Sequence, residues 1–251
     1  MSTPRADVDE WDDAAGIWRQ SPAKAALLGQ RAFQNAVALP TKKVFIVGGS
    51  SMDPHNNPAD TFMPPVPDTE LYDPGPTPAS TGSSIALAPD PSGIDRFYHQ
   101  LALYLPDGRI LVCGGEGEQS KESAMLFSPP YLFQGPRPQI NSPSLPAAIT
   151  YGNSFTFTAT TTNAAHGLQD FQAVLMRPGC ATHHIDFEAS LIELSVTGMT
   201  VVEPRVAQFT VQAPANASFG PPGYYMLILL ETGIYPSQDK VPSIARFVKA
   251  Q

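Results

Sequence analysis

The sequence is poor in charged residues, and basic residues are especially few. Charged side chains make up 15% of the 251 residues, and 15 Lys and Arg stand against 23 Asp and Glu, which gives a net charge of −8. Because there is no basic run, we expect no nucleic-acid partner. No apolar stretch approaches the ~18 residues of a membrane-spanning helix, so no membrane insertion is expected. Residues 1–10 lack an apolar segment, and we therefore expect no signal peptide in this chain.

Cysteine is nearly absent as well. The two cysteines, Cys113 and Cys180, are separated by 67 positions, and the sequence contains no CxxC pair. A structural zinc site is therefore not expected. Two isolated thiols more often behave as small buried hydrophobic residues than as a disulfide. We expect both thiols to be free and buried, with a disulfide as the alternative.

Proline and glycine, in contrast, are abundant. The chain has 27 Pro and 19 Gly, while 42% of its residues are hydrophobic. This composition is too apolar for a disordered chain and too rich in backbone-breaking residues for a helical bundle. It predicts an all-β protein made of many short strands joined by turns. The length suits one large domain or two of ordinary size.

An internal repeat organises the first half of the chain. Leu39-Pro-Thr-Lys-Lys-Val-Phe-Ile-Val-Gly-Gly49 recurs 66 positions later as Leu105-Pro-Asp-Gly-Arg-Ile-Leu-Val-Cys-Gly-Gly115. An Arg and an aromatic residue precede each copy, in Arg31-Ala-Phe-Gln34 and Arg96-Phe-Tyr-His99. Each copy predicts a four-stranded antiparallel blade in which the turn joins the second strand to the third. The Gly-Gly pair would let the third strand end against a neighbouring backbone.

The repeat resembles the kelch repeats of β-propellers. A propeller closes with about four to eight blades, and one blade cannot bury both of its faces alone. We therefore predict a partial kelch-type propeller of about two blades over residues 1–134. Its open faces would be covered by missing propeller blades, by a partner chain or by self-association.

The second half, residues 135–251, has a different pattern. After a stiff proline-rich connection, short runs of mostly alternating apolar and polar residues follow one another at close spacing. The predicted strands cover residues 153–159, 171–176, 190–196, 205–212, 224–230 and 243–248. About seven short strands over such a length predict an immunoglobulin-like β-sandwich. The Cys…Trp…Cys signature of antibody domains is missing, so this is not a true antibody-type domain. We expect a domain of the early-set type.

Several motifs in one order carry a family resemblance. They are Arg96-Phe-Tyr-His…Leu105-Pro-Asp-Gly-Arg109, Ser128-Pro-Pro-Tyr-Leu132 with Arg137-Pro, Met176-Arg-Pro-Gly-Cys-Ala-Thr-His183, Pro222-Gly-Tyr-Tyr-Met-Leu227 and Val241-Pro-Ser243. In this order the motifs resemble the C-terminal part of galactose oxidase-like and glyoxal oxidase-like copper radical oxidases. That family oxidises a primary alcohol or an aldehyde and reduces O2 to H2O2, and its members are often secreted.

The resemblance implies a copper site with three protein ligands. Carried over residue by residue, Tyr98 is the axial and catalytic phenol, and His99 and His183 are the two imidazole ligands. Imidazole nitrogens with a weak axial ligand suit Cu(II). Adjacent residues of a regular strand point to opposite faces, so Tyr98 and His99 can share a metal only at an irregular strand end or a bulge.

The sequence also departs from the family pattern. The family's radical centre uses a further tyrosine joined to a cysteine, and both lie in early blades. Here the only tyrosine before Tyr98 is Tyr72, and no cysteine precedes Cys113. We therefore expect this chain alone to be incomplete and inactive.

The remaining histidines differ in what they indicate. His184 stands where relatives usually carry a small residue, and it is a competing ligand. His55 and His166 lie in polar, turn-rich sequence and are expected to face solvent. The alternative to an oxidase is a non-catalytic kelch and immunoglobulin-like scaffold that binds carbohydrate or protein.

Overall fold

A computed structural model describes residues 5–20, 24–51, 66, 68–89, 94, 96, 98–115, 122–234 and 239–251. Strands dominate these ranges, and the helices within them are short 3-10 turns at Pro130–Phe133, Ser142–Ser144 and Leu168–Asp170. None of the helices described has the length and apolarity needed to cross a bilayer. The all-β prediction is confirmed.

The chain folds into two compact units. The first, which we call the repeat-bearing unit, comprises Met1–Leu103, Leu111–Leu126 and Cys180–Phe187. The second, the sandwich unit, comprises Tyr104–Ile110, Phe127–Gly179 and Glu188–Gln251. The division at residues 134 and 135 stays a prediction. The short Cys180–Phe187 segment could not be assigned from the sequence because its position depends on long-range contacts.

The repeat-bearing unit contains four antiparallel sheets among the described residues. Its strands are β1 (Asp9–Asp12), β2 (Ile17–Gln20), β3 (Asn35–Ala38), β4 (Val44–Val47), β5 (Glu70–Asp73), β6 (Ser83–Ala86), β7 (Gln100–Tyr104), β8 (Ile110–Gly114), β9 (Ala124–Phe127), β14 (Ala181–Thr182) and β15 (Ile185–Asp186). The sheet orders are β1-β2, β3-β4-β5-β6, β7-β8-β9 and β14-β15. The last residue of β7, the first of β8 and the last of β9 are assigned to the sandwich unit.

The four-stranded sheet agrees with the predicted blade in strand number but not in the position of the turn. The turn after Ala38 joins β3 to β4, the first and second strands of the sheet, and not the second to the third. The fourth strand is Ser83–Ala86, which pairs with β5. Two of its four residues are serine and three of the four are exposed, so it carries no strand signal. The turn was misplaced for this reason.

The sandwich unit contains two sheets among the described residues. Its strands are β10 (Gln139–Ile140), β11 (Ala148–Ile149), β12 (Ser154–Thr160), β13 (Phe171–Met176), β16 (Leu191–Leu194), β17 (Val196–Glu203), β18 (Val206–Gln212), β19 (Gly223–Glu231), β20 (Val241–Pro242) and β21 (Arg246–Ala250). One sheet has the order β10-β12-β18-β17, and the other has the order β11-β21-β19-β13-β16, with β20 beside β19. The predicted runs all correspond to strands.

Alternation of side chains creates the core of the sandwich unit. Phe157 of β12 and Phe209 of β18 project from one sheet, and Phe171 of β13 meets Phe209 from the other. The ring centroids are 5.7 Å apart for Phe157 and Phe209 and 4.8 Å apart for Phe171 and Phe209. Burial of each such side chain contributes about 1.5–3 kcal/mol. The predicted immunoglobulin-like sandwich is confirmed.

A half-buried arginine connects several of the sequence motifs within the sandwich unit. The Arg137 guanidinium donates to the carbonyl oxygens of Asp107, Pro242 and Ser243 at 2.6, 2.7 and 2.9 Å. The turn of the second repeat and the Val-Pro-Ser segment are therefore joined to one side chain. Its five donors in a fixed planar arrangement explain why an arginine occupies this position.

Candidate metal centre

The two repeats share a framework that fixes the backbone around the candidate site. In the first repeat, Nη1 of Arg31 donates to the carbonyl oxygen of Gly48 at 3.1 Å. In the second, Nη1 of Arg96 donates to the carbonyl oxygen of Gly114 at 2.9 Å. Both arginines are 3% exposed. In each repeat, the arginine that precedes the strands is therefore hydrogen-bonded to the first glycine of the Gly-Gly pair.

Neighbouring backbone lies close to the glycine pairs, as the sequence predicts. A Cβ on Gly49 would lie 2.7 Å from the carbonyl oxygen of Ala32, and one on Gly114 would lie 3.0 Å from that of His99. Both glycines also take positive φ, which side-chain-bearing residues rarely adopt. The Gly-Gly pairs are needed at these positions for both reasons.

The structure brings all three predicted ligands together. Tyr98 and His99 precede β7, while His183 lies in the turn between β14 and β15. The ring centroids are 4.0 Å apart for Tyr98 and His99, 4.7 Å for His99 and His183, and 5.8 Å for Tyr98 and His183. All three residues belong to the repeat-bearing unit. The short β14-β15 hairpin thus delivers a histidine that is distant in sequence.

The backbone at this cluster is strained. Positive φ is found at Phe33 (62°), His99 (63°), His183 (52°) and His184 (62°), and elsewhere in the described residues only Lys42 and Arg205 share it among non-glycines. Such conformations are uncommon, especially for a bulky residue such as Phe, and they concentrate at functional sites. The irregular strand end expected at Tyr98 and His99 is therefore confirmed.

Hydrogen bonds fix the hairpin that carries His183. The backbone N–H of Cys180 donates to the Asp186 carboxylate at 2.9 Å, and the N–H of Phe187 donates to the Cys180 carbonyl at 3.1 Å. Nδ1 of His183 lies 2.8 Å from the Thr182 hydroxyl oxygen. This bond leaves Nε2 of His183 as the nitrogen for a ligand. Because the side chain is exposed, that nitrogen is accessible.

His184 also joins the cluster, but on the side of Phe33. Its ring centroid lies 5.2 Å from that of Phe33 and 6.0 Å from that of Tyr98. Burial, with smaller contributions from His183 and His99, holds the pKa of the His184 imidazole below its ordinary value. Its Nδ1 is buried and has no hydrogen-bond partner among the described residues. His184 therefore packs beside the predicted ligands in surroundings that disfavour its charged form.

The donor chemistry of the cluster fits copper. Within the described part of the chain, no group of three or more His, Cys, Asp or Glu side chains is placed to hold a metal ion. The candidate centre therefore depends on a phenol oxygen together with two imidazole nitrogens. Imidazole pairs with a weaker axial donor are a ligand set that Cu(II) accepts.

Three other expectations from the sequence have outcomes in the structure. Both cysteines are free, as expected, but neither is buried, so that expectation is wrong. Cys113 is half-buried, and Cys180, which directly precedes β14, is exposed. His166 does not face solvent freely, because its Nδ1 lies 2.8 Å from the fully buried Glu231 carboxylate. His55 lies outside the described residues.

Sequence reasoning missed Gln100, the first residue of β7. Its side chain is fully buried and contacts the backbone beneath the cluster. A glutamine directly after a Tyr-His pair gives no signal of this role. Its only sequence clue is a polar residue at a strand position that the alternation assigns to the interior.

Comparison with known proteins identifies relatives for both units. Residues 137–250 match the family described as "Galactose oxidase-like, Early set domain". An aldehyde oxidase, GLOX1, of Arabidopsis thaliana is 26% identical over 95% of this chain and 38% of its own length. A galactose oxidase of Gibberella zeae is 27% identical over 86% of this chain and 29% of its own length. The chain thus spans less than two fifths of the length of these curated relatives.

A solved structure shows the same similarity. It is a fungal alcohol oxidase of the AA5 family in complex with copper, with 28% sequence identity and a TM-score of 0.72, and the match covers 94% of this chain and 45% of the other. The resemblance drawn from the motifs is therefore confirmed. Residues 137–250 resemble a galactose oxidase-like early set domain, and the chain is similar to galactose, aldehyde and alcohol oxidases.

Proposed function

We propose that this chain is the copper-holding part of a galactose oxidase-like copper radical oxidase, with Tyr98, His99 and His183 as the ligands. The observation that carries the proposal is the convergence of these three rings from two segments about 85 positions apart. Both histidines take positive φ, a conformation that the surrounding fold must enforce. The copper complex of the related fungal alcohol oxidase supports the choice of metal.

The intact enzyme would oxidise a primary alcohol or an aldehyde. An alcohol loses two electrons and two protons to become an aldehyde. O2 takes up the two electrons and the two protons to become H2O2. Bound copper would supply one-electron exchange and polarisation of the substrate oxygen. In this scheme His99 and His183 would hold the ion, and Tyr98, as the phenolate, would accept the proton from the substrate hydroxyl group.

The chain alone lacks the second one-electron centre that this chemistry needs. Tyr72, the tyrosine that precedes Tyr98, lies in β5 with its ring buried in a sheet and pairs with Val44 across the strands. Cys113 and Cys180 are free thiols. We therefore propose that the isolated chain is inactive, and that further propeller blades, a partner chain or a second copy complete the enzyme.

Copper titration tests the proposed centre. Calorimetry and Cu(II) electron paramagnetic resonance should show one copper per chain. Loss of an outer partner of a metal ligand costs about 10–100-fold in affinity, so His99→Ala and His183→Ala should each cost at least that much. His166→Ala is the matched control, because His166 contacts Glu231 in the sandwich unit and should leave copper binding unchanged.

The same samples test the incompleteness of the chain. The copper-loaded chain should produce no peroxide with a panel of primary alcohols and aldehydes. Peroxide production that disappears in His99→Ala would show that the chain is complete and would overturn the proposed inactivity. Failure of the unmodified chain to bind copper would overturn the metal centre itself.

A binding module is the second candidate function, and an exposed aromatic pair favours it. Trp11 and Trp18 face each other across the β1-β2 hairpin with ring centroids 5.5 Å apart, and they are 47% and 61% exposed. Such rings offer a platform for a carbohydrate or a protein surface. Glycan-array binding that survives both histidine substitutions but not Trp18→Ala would support this function.

A further inference from the structure

Gln100 is a single buried residue that contacts the segments around the candidate centre. Its Nε2 donates to the carbonyl oxygens of Phe33 at 3.0 Å and of Val47 at 3.4 Å. Its own backbone carbonyl accepts the N–H of His184 at 3.3 Å. The residue therefore connects the first repeat, the start of β7 and the turn of the β14-β15 hairpin.

The space for this side chain is provided by a glycine. A Cβ on Gly48 would lie 2.3 Å from Oε1 and 2.4 Å from Nε2 of Gln100, which no real side chain allows. The Gln100 side chain has 0% exposure, and its Oε1 has no hydrogen-bond partner among the described residues. A buried unpaired acceptor is costly, so its presence requires an explanation.

The groups that Gln100 contacts are those that shape the cluster. The Phe33 ring lies 5.1 Å from Tyr98 and 5.2 Å from His184, and Phe33 holds a positive φ. His99, which precedes Gln100, also holds a positive φ. A hydrogen bond to the Phe33 carbonyl and another from the His184 amide restrain these unfavourable conformations from both sides.

We infer that Gln100 is a positioning residue of the copper centre. Its side chain acts through the Phe33 carbonyl, while its backbone carbonyl accepts the His184 amide. The side-chain bond thereby holds Phe33 against Tyr98 and His184. This inference rests on the proposed function for its metal, but the restraint on Phe33 and His184 exists without the metal. Partners of this kind are known to tune metal affinity without binding the ion.

A pair of shape-conserving substitutions tests the inference. Gln100→Met removes the donor and keeps the length of the side chain. Asn35→Leu is the matched control, because Asn35 is also a buried amide of the same unit and its Oδ1 accepts the N–H of Ala102 at 3.2 Å. Both variants should lower the urea midpoint. Only Gln100→Met should raise the Cu(II) dissociation constant, by about tenfold, and change the copper hyperfine splitting.

Two results would overturn the inference in the copper experiment. One is an unchanged dissociation constant and spectrum in Gln100→Met. The other is an equal change in Asn35→Leu, which would mean that general loosening of the unit suffices.

A metal-free measurement separates this inference from the proposed function. In the unmodified apo chain, nuclear Overhauser contacts should connect the Phe33 ring with the Tyr98 and His184 rings. Gln100→Met should abolish the Phe33–His184 contact, and Asn35→Leu should keep it. If the unmodified chain binds no copper, the proposed function fails. In that case retention of the contact in Gln100→Met overturns the positioning role, and its loss supports that role.

Discussion

The two repeats have the same framework but carry different residues at the start of their first strand. In both, a buried arginine binds the carbonyl of the first glycine of the Gly-Gly pair. In both, the connecting turn is closed by two hydrogen bonds of 2.8 and 2.9 Å at equivalent positions. The first repeat presents Phe33-Gln34, whereas the second presents Tyr98-His99. The two repeats thus share their framework, and these two positions distinguish the repeat that contains the proposed ligands Tyr98 and His99.

The largest expected effect comes from removing the framework of the first repeat. Arg31 pairs with Glu70, and both side chains are buried. The other carboxylate oxygen of Glu70 accepts from the Leu28 N–H at 2.7 Å and from the Ser84 hydroxyl at 3.0 Å. Arg31→Met would leave a buried carboxylate without its charged partner, so we expect a loss of about 3–5 kcal/mol of unfolding free energy.

Tryptophan fluorescence during urea unfolding measures this loss, since both tryptophans of the chain lie in the repeat-bearing unit. Glu70→Gln placed on top of Arg31→Met should restore part of the stability, because the uncompensated charge is gone. The single variant Glu70→Gln completes the comparison. If the double variant loses as much stability as the sum of the two single variants, the Arg31–Glu70 ion pair does not contribute to the framework of the first repeat.

Alanine substitutions in the two Gly-Gly pairs are expected to have an effect of intermediate size on stability, and a different one in each repeat. A Cβ on Gly48 would lie 2.3 Å from the Gln100 side chain, while one on Gly114 would lie 3.0 Å from its nearest neighbour, the His99 carbonyl. We therefore expect Gly48→Ala to cost about 2–3 kcal/mol through overpacking and positive φ, and Gly114→Ala to cost about 1–2 kcal/mol.

Urea unfolding of the two alanine variants gives this order, and copper titration adds a second readout. Gly48→Ala should also weaken copper binding, because it displaces Gln100. A Gly114→Ala variant that is the less stable of the two would contradict the packing difference between the repeats.

Sequence patterns predicted the fold well where local signals decide it. Alternation identified strands such as Phe171–Met176 and Val206–Gln212, because one face of each is buried against the core. The repeat pattern also predicted that backbone would lie close to the Gly-Gly pairs. Ser83–Ala86 was missed because its residues lack apolar alternation, and its pairing with β5 comes from the tertiary structure.

The site was only partly accessible from the sequence. Tyr98, His99 and His183 were named from the motif resemblance, and the structure brings their rings together. The burial of Gln100 and the contact of His166 with Glu231 could not be predicted, because the partners of both residues are distant in sequence. Positive φ at a histidine or a phenylalanine likewise leaves no trace in the residue type.

The smallest expected effect concerns the two turns. Position 42 of the first turn is an exposed lysine with φ of 67°, and the equivalent Gly108 of the second turn has φ of 88°. The left-handed conformation costs a lysine about 1–2 kcal/mol, while glycine adds conformational entropy to the unfolded chain. Lys42→Gly should therefore stabilise the protein by only about 0.5–1 kcal/mol.

Urea unfolding followed by tryptophan fluorescence detects a gain of this size. Gly108→Ala is the opposite change and should destabilise, because its Cβ would also lie 3.0 Å from the Arg137 guanidinium. Its unfolding is followed by circular dichroism, since Gly108 belongs to the sandwich unit, which contains no tryptophan. If Lys42→Gly instead lowers the stability, the lysine side chain contributes more than its strained backbone costs. The two turns would then share their hydrogen bonds, but the first would be stabilised by its lysine side chain and the second by the conformational freedom of Gly108.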